Sequence, residues 1–172
     1  MKVYAQRDSS GKETFATRWR ICGGGTNGIT WLARFLNGRD FPEIDIVAYK
    51  PETGKRVTVQ VKTARQLEWF VGNYKRERER WEISHFPDRA DVHVFVHLTS
   101  NDINAAEFYV VESTHLKQLC EKLLEKIPLK DTRKKRLLIV GKDSPDHKHT
   151  PEVWEEIVKR KNRWDLLERV AR

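Results

Sequence analysis

Cysteine is nearly absent from this chain: Cys22 and Cys120 are the only two among 172 residues. They sit far apart in no pairing motif, which excludes a disulfide framework, and two thiolates are too few to build a zinc site alone. Long hydrophobic runs are missing too. Nothing approaches the ~20 apolar residues that span a bilayer, and Met1 to Arg7 lack the apolar stretch of a signal peptide. The expectation is a cytoplasmic protein with no membrane partner. There is no internal repeat, no low-complexity linker and no Gly-x-Ser-x-Gly elbow, so covalent nucleophilic catalysis is set aside. The hydrophobic fraction is only 38%, yet six Trp, seven Phe and four Tyr exclude a disordered chain.

What the chain has in quantity is charge. Asp, Glu, Lys and Arg make up 34% of the residues and the net charge is +8, with a pI near 9.6. Such a field attracts polyanions and speeds their encounter. Nucleic acid is the first candidate partner; an acidic protein or membrane surface is second. The length suits one domain with a core that needs no staples.

Hydrophobic patterning predicts one α/β domain over residues 1–172, with a core at about 26–141, an N-terminal β-hairpin at 2–21 and a C-terminal helix at 151–170. In the hairpin, strands 2–8 and 13–21 join at Ser9-Ser10-Gly11-Lys12. Residues 26–37 read as a helix capped by Thr26 or Asn27, with Ile29, Trp31, Leu32, Phe35 and Leu36 as its apolar stripe. Asn37-Gly38 stops it. A second hairpin covers 43–63. Beyond it, Leu67, Trp69, Phe70 and Val71 continue a strand or begin a helix, and Tyr74 to Trp81 form a helix or an exposed loop. Strands follow at Asp91 to Leu98 and Glu107 to Val111. A helix at 113–126 carries Leu116, Leu119, Leu123 and Leu124 on one side. Leu137 to Val140 form a short strand and 145–150 a loop. Trp154, Ile157, Val158, Trp164 and Leu167 would dock the closing helix.

The second hairpin holds the most informative residues. Pro42-Glu43-Ile44-Asp45-Ile46-Val47-Ala48-Tyr49 and Val57-Thr58-Val59-Gln60-Val61-Lys62-Thr63 flank the turn Pro51 to Lys55. Strand alternation puts Ile44, Ile46 and Ala48 with Val57, Val59 and Val61 on one face. Glu43, Asp45, Gln60 and Lys62 then converge on the other. Acidic oxygens, an amide oxygen and an ammonium together suit a divalent cation beside a phosphate. Against this stands the plain expectation that an exposed strand face is polar.

An Asp on one strand, a hairpin turn, and a strand carrying acid-x-Lys resemble the PD-(D/E)xK nuclease superfamily. Here the second half reads Gln60-Val61-Lys62, similar to the branch in which Gln replaces the usual acid. The resemblance implies a restriction-endonuclease-like fold, a mixed central β-sheet flanked by helices. It also implies a Mg2+-dependent endonuclease, with Mn2+ as the alternative metal, hydrolysing DNA phosphodiester bonds. Asp45, Gln60 and Lys62 would be catalytic; Asp45, Gln60 and Glu43 would hold the metal. Many members carry a Glu in the first helix, whereas residues 26–37 contain no acid, and Glu43 would compensate. Such nucleases often act as homodimers or higher homo-oligomers. A catalytically weak or inactive DNA-binding or accessory protein on the same scaffold is the alternative.

Two basic clusters are the expected DNA contacts: Lys75, Arg76, Arg78 and Arg80, interleaved with Glu77 and Glu79, and the uninterrupted Arg133, Lys134, Lys135 and Arg136. The bland reading of the first is a solvated helix face with internal ion pairs. Asp146-His147-Lys148-His149 reads as a solvated loop before it reads as a metal site. His93 and His97 read as exposed or hydrogen-bonded residues on a sheet face, with Phe95 between them. Gly23-Gly24-Gly25-Thr26-Asn27-Gly28 lacks the ending of a P-loop and reads as a helix entry.

Overall fold

A computed structural model describes residues 43–100, 105–129, 137–144 and 151–172, and the backbone alone at 16–21, 29–35 and 135–136. Six strands form a mixed sheet in the order β1 (Ala16–Ile21), β2 (Ile29–Phe35), β3 (Ile46–Tyr49), β4 (Arg56–Ala64), β7 (Val92–His97), β8 (Glu107–Glu112). All neighbours are antiparallel except β4 and β7. A parallel pair needs a crossover the length of the sheet. The crossover here is a hairpin, β5 (Trp69–Glu77) and β6 (Arg80–His85), which joins β9 (Lys135–Val140) in a second sheet ordered β6-β5-β9. The architecture is mixed α/β, as expected, with few helices.

Two expectations fail on physical grounds. Residues 29–35 are a strand, not part of a helix over 26–37. Ile29-Thr30-Trp31-Leu32-Ala33-Arg34-Phe35 also alternates, and it is rich in residues that suit a pleated surface. Ladders on both sides, Trp19 opposite Trp31 and Phe35 opposite Ile46, decide the matter. The predicted partner strand 2–8 lies outside the described residues, and the partner given to β1 is β2. The closing helix at 151–170 is likewise two short helices, α2 (Pro151–Val158) and α3 (Leu166–Val170). Between them, Val110 N donates to Arg160 O and Asn162 N to Phe108 O, at 3.1 and 2.8 Å. These bonds cap the exposed edge of β8, and Asn162 adopts a positive φ of 57° to make the turn.

Among the described residues, the central sheet is covered on both faces. On one side Ile46, Ala48, Val57, Val59, Val92, Val94, Val96 and Val110 pack against Leu166 and Leu167 of α3. On the other, Phe95, Tyr109 and Val111 meet the small sheet, α1 (Ser113–Lys126) and α2. Trp69 of β5 anchors this second core, with its ring centroid 5.2 Å from Phe95 and 6.3 Å from Trp154. Helix α1 follows its predicted span and buries the four leucines expected of it. Of the residues expected to dock the closing segment, Ile157 and Leu167 are buried, while Val158 is exposed.

Two glycines separate backbone strain from crowding. Gly54 turns the β3–β4 hairpin at φ +69° with open space around it, whereas a Cβ on Gly72 would stand 2.3 Å from the His85 carbonyl oxygen. Gly54→Ala should cost about 1 kcal/mol, the strain of a left-handed residue. Gly72→Ala should cost about 3 kcal/mol or more, because β5 and β6 must part. Denaturant unfolding of both variants checks this, and equal losses would mean that the second sheet yields without resistance.

Candidate active site

The register confirms how the second hairpin sorts its side chains. Ile46 pairs with Val59, Val47 with Thr58 and Ala48 with Val57. That register ends at Ile46 opposite Val59, one residue short of Asp45, and Gln60 follows Val59 on the face of β4 shared by Thr58 and Lys62. Asp45 sits in the bend just before β3, where its backbone N–H donates to Val59 O at 2.9 Å. Its carboxylate turns onto β4, and Oδ2 accepts a hydrogen bond of 2.7 Å from Val61 N. Val61 N is the amide between Gln60 and Lys62, so the acid is tied to the middle of the Gln-x-Lys triplet. Glu43 is held nearby and mostly covered, its carboxylate 4.0 Å from Arg89 Nε.

The face that carries these groups differs from the solvated one expected. Gln60 is only 4% exposed, and Asp45 and Lys62 are partly buried. The cause lies one strand away: β4 runs parallel to β7, with Gln60 beside His93 and Lys62 beside Phe95. This face continues directly into the second core. Lys62 makes no ion pair with a described residue. Gln60 Oε1 is buried with no hydrogen-bond partner, an uncompensated acceptor of the kind folded proteins rarely tolerate.

His93 is the residue that sequence reasoning undervalued. It is fully buried, with Phe86 at 5.7 Å and Phe95 at 6.3 Å between ring centroids. Both ring nitrogens lack a well-aligned hydrogen bond. Burial pushes its pKa down to about 4; the Pro87 carbonyl opposes this and the Lys62 ammonium adds to it. The signal was present in Val92 to Leu98, since a strand whose second face reads His-Phe-His has an aromatic in the middle of that face and invites cover. His97 behaves as expected, its Nδ1 and Nε2 each 3.2 Å from Glu107 Oε2 and Arg65 O.

The basic residues sort into a different place. Tyr74 to Trp81 are neither helix nor loop but the two arms of the β5–β6 hairpin, turning at Arg78 with φ 53°. The alternation of Lys and Arg with Glu is strand alternation, and it makes cross-links along each arm: Lys75 to Glu77 at 2.9 Å and Arg80 to Glu82 at 2.5 Å. The second cluster converges on the first. Lys135 and Arg136 open β9 and pair with Lys75 and Tyr74 of β5. Arg133 and Lys134 lie outside the described residues, as do His147 and His149 and the glycine run 23–28.

Among the described residues no cluster of three or more His, Cys, Asp or Glu side chains is arranged to hold a metal, and no helix is long and apolar enough to cross a membrane. Cys120 is buried in the second core, which raises its pKa and makes its thiol inert. No protein-family model matches the chain, and neither a curated protein nor a solved structure does.

The depressed pKa of His93 has a measurable consequence. Between pH 6.5 and about 4 the folded protein binds fewer protons at this ring than the unfolded chain, so stability is present above pH 6.5 and falls as pH drops through that window. The full loss is about 3 kcal/mol. Chemical denaturation at several pH values should show this slope, and His93→Phe should flatten it. A slope unchanged in the variant would place the acid sensitivity elsewhere.

Proposed function

We propose that the protein is a divalent-metal-dependent endonuclease acting on DNA phosphodiester bonds, on a scaffold resembling the PD-(D/E)xK nucleases in their Gln-x-Lys form. The observation that carries this reading is the 2.7 Å hydrogen bond from Val61 N to Asp45 Oδ2. It fixes a carboxylate over the amide between Gln60 and Lys62, which leaves Asp45 Oδ1 free of described partners. The orphaned Gln60 Oε1 and the Glu43 carboxylate complete an all-oxygen donor set. That set fits magnesium, a hard cation that takes one or two carboxylates and keeps several waters.

Bound there, the metal would neutralise charge on the phosphate and activate the attacking water. The remaining work falls to the chain. Lys62 offers an ammonium that pairs with no described residue, suited to the negative charge that develops on the phosphate oxygens. Burial of Gln60 holds its amide in one place, and the Val61 amide does the same for Asp45. The paired hairpin and β9 arms, with Lys75, Arg76, Arg78, Arg80, Lys135 and Arg136, would seat the DNA backbone. A homodimer or higher homo-oligomer would supply a second site for the second strand.

Cleavage of supercoiled plasmid, a branched junction and single-stranded DNA, with Mg2+, Mn2+ or chelator, tests the proposal. Asp45→Asn and Lys62→Ala should each lower the rate about a hundredfold or more, with thermal unfolding close to that of the parent protein. Cutting at the parental rate in either variant would remove that residue from the site. A second reading, a DNA-binding protein that does not cut, is favoured by the neutral Gln60 and the absence of a three-ligand cluster among the described residues. Salt-sensitive binding without metal-dependent cleavage would select it.

The metal can also be tested without turnover. Gln60→Glu places a second carboxylate at a nearly closed position on the strand to which Asp45 is bonded, which should lower Tm by several degrees in chelator. Magnesium should restore more of that Tm than it adds to the parent protein, because it binds only the folded state. Equal magnesium responses in the two proteins would mean that no cation is held between positions 45 and 60.

A further inference from the structure

The opposite end of β4 from Lys62 opens into a cleft of about 640 Å³ that the cleavage chemistry does not use. Its floor is the start of helix α1. That start is unusual for a 14-residue helix: the N-cap, Glu112, makes no side-chain cap, and no acidic residue occupies the first turn. Glu112 instead reaches Arg169, 3.4 Å away. Ser113 N is satisfied by Asp91 O at 3.0 Å, but the next amides, of Thr114 and His115, meet no capping side chain. A helix start in this condition concentrates partial positive charge and free N–H donors.

A second, independent observation points to a ligand. Ser113 lines the cleft and is only 6% exposed, yet its hydroxyl has no hydrogen-bond partner. The walls supply cations. Arg56, Arg89 and Arg172 all border the space. Arg172 is fixed by a two-way backbone pairing with Arg56 and by Asp91 Oδ1 at 3.1 Å. The other Asp91 oxygen is occupied by the Thr58 amide and hydroxyl, at 2.9 and 2.7 Å. Arg56 has no side-chain partner among the described residues, and Arg89 touches only Glu43, at the 4.0 Å limit of an ion pair. Asp88 is the remaining lining carboxylate, set against two loosely held guanidiniums and a helix N-terminus.

We propose that this cleft is a phosphate-binding site, with the Thr114 amide, the Ser113 hydroxyl and Arg56 as its donors. Backbone amides at a helix start with a flanking guanidinium form a recurrent phosphate cradle. Thr58 lies two residues before Gln60 on the same face of β4, about 6.6 Å along the strand. The site therefore adjoins the candidate active site and requires no metal. Free phosphate and a phosphate of the DNA backbone present the same chemistry to it.

Amide NMR spectra of the whole chain, in chelator, would be recorded during titration with inorganic phosphate and, separately, with a short single-stranded oligonucleotide. The Thr114 resonance should move saturably with at least one probe. Arg56→Gln should weaken that response about tenfold and Ser113→Ala about fivefold. Lys142→Gln, which removes an exposed charge near the far end of β4, should leave it unchanged. Response to phosphate alone identifies a free phosphate ester as ligand; response to the oligonucleotide with the same Arg56 dependence identifies the DNA backbone. Resonances that ignore both probes, or that move equally in Arg56→Gln and Lys142→Gln, overturn the proposal. Because neither metal nor cleavage enters, a protein that never cuts DNA would leave a positive result standing.

Discussion

Because β4 runs parallel to β7, the chain between them must return the length of the sheet, and nearly everything else in the molecule follows from how it does so. A helix is the usual solution. Here a β-hairpin makes the return, recruits β9, and lays a second sheet with α1 over the face of the first. The central strands are thereby buried on both sides. Trp69, at the start of the hairpin, packs against Phe95 and Tyr109 and ties the return path to the strand it was built to reach.

That burial changes the meaning of the polar residues on β4 and β7. On a solvated face Gln60 and His93 would be unremarkable. Under a second sheet the unbonded Gln60 Oε1 opposes folding by about 1–3 kcal/mol, and the His93 ring, met only by the Pro87 carbonyl, adds to that cost. Lys62 escapes this cost because it is only partly buried, and Asp45 because Val61 N meets its carboxylate. A fold that keeps two poorly compensated polar side chains on adjacent strands, beside a lysine that pairs with no described residue, carries a cost that a purely structural core would avoid. Val or Leu at these positions would pack without penalty. The proposed chemistry supplies a reason for the exception.

Where local pattern and tertiary demand agreed, the fold was legible in the sequence. The β3–β4 hairpin, its register, β7, β8 and α1 all have periodicities without a competing reading, whereas the bond from Val61 N to Asp45 is a tertiary detail that strand alternation does not show. The failures share one cause, which is that an unpaired strand edge is invisible in a sequence. Residues 29–35 carry both helical and alternating apolar spacing, and the free edges of β1 and β3 chose between them. Residues 160–162 left a helical pattern to cap β8. Tyr74 to Trp81 alternated charge in a way that suits either a helix surface or a hairpin, and the demand for a crossover selected the hairpin. The cover over His93 was equally nonlocal, since it comes from residues far along the chain.

The two basic clusters show what such nonlocality does to charge. Separated by more than fifty residues, they would be independent weak attractions on an extended chain. Pairing of β5 with β9 sets Lys75 directly across from Lys135, an arrangement that is repulsive in isolation. Glu77 relieves it on one arm, through its bond to Lys75. The remaining guanidiniums of Arg76 and Arg78 are exposed at the hairpin end with no carboxylate bound among the described residues. Stability alone would disperse these charges. Gathering them along one hairpin raises the local potential instead, and this supports the proposal of a polyanionic partner.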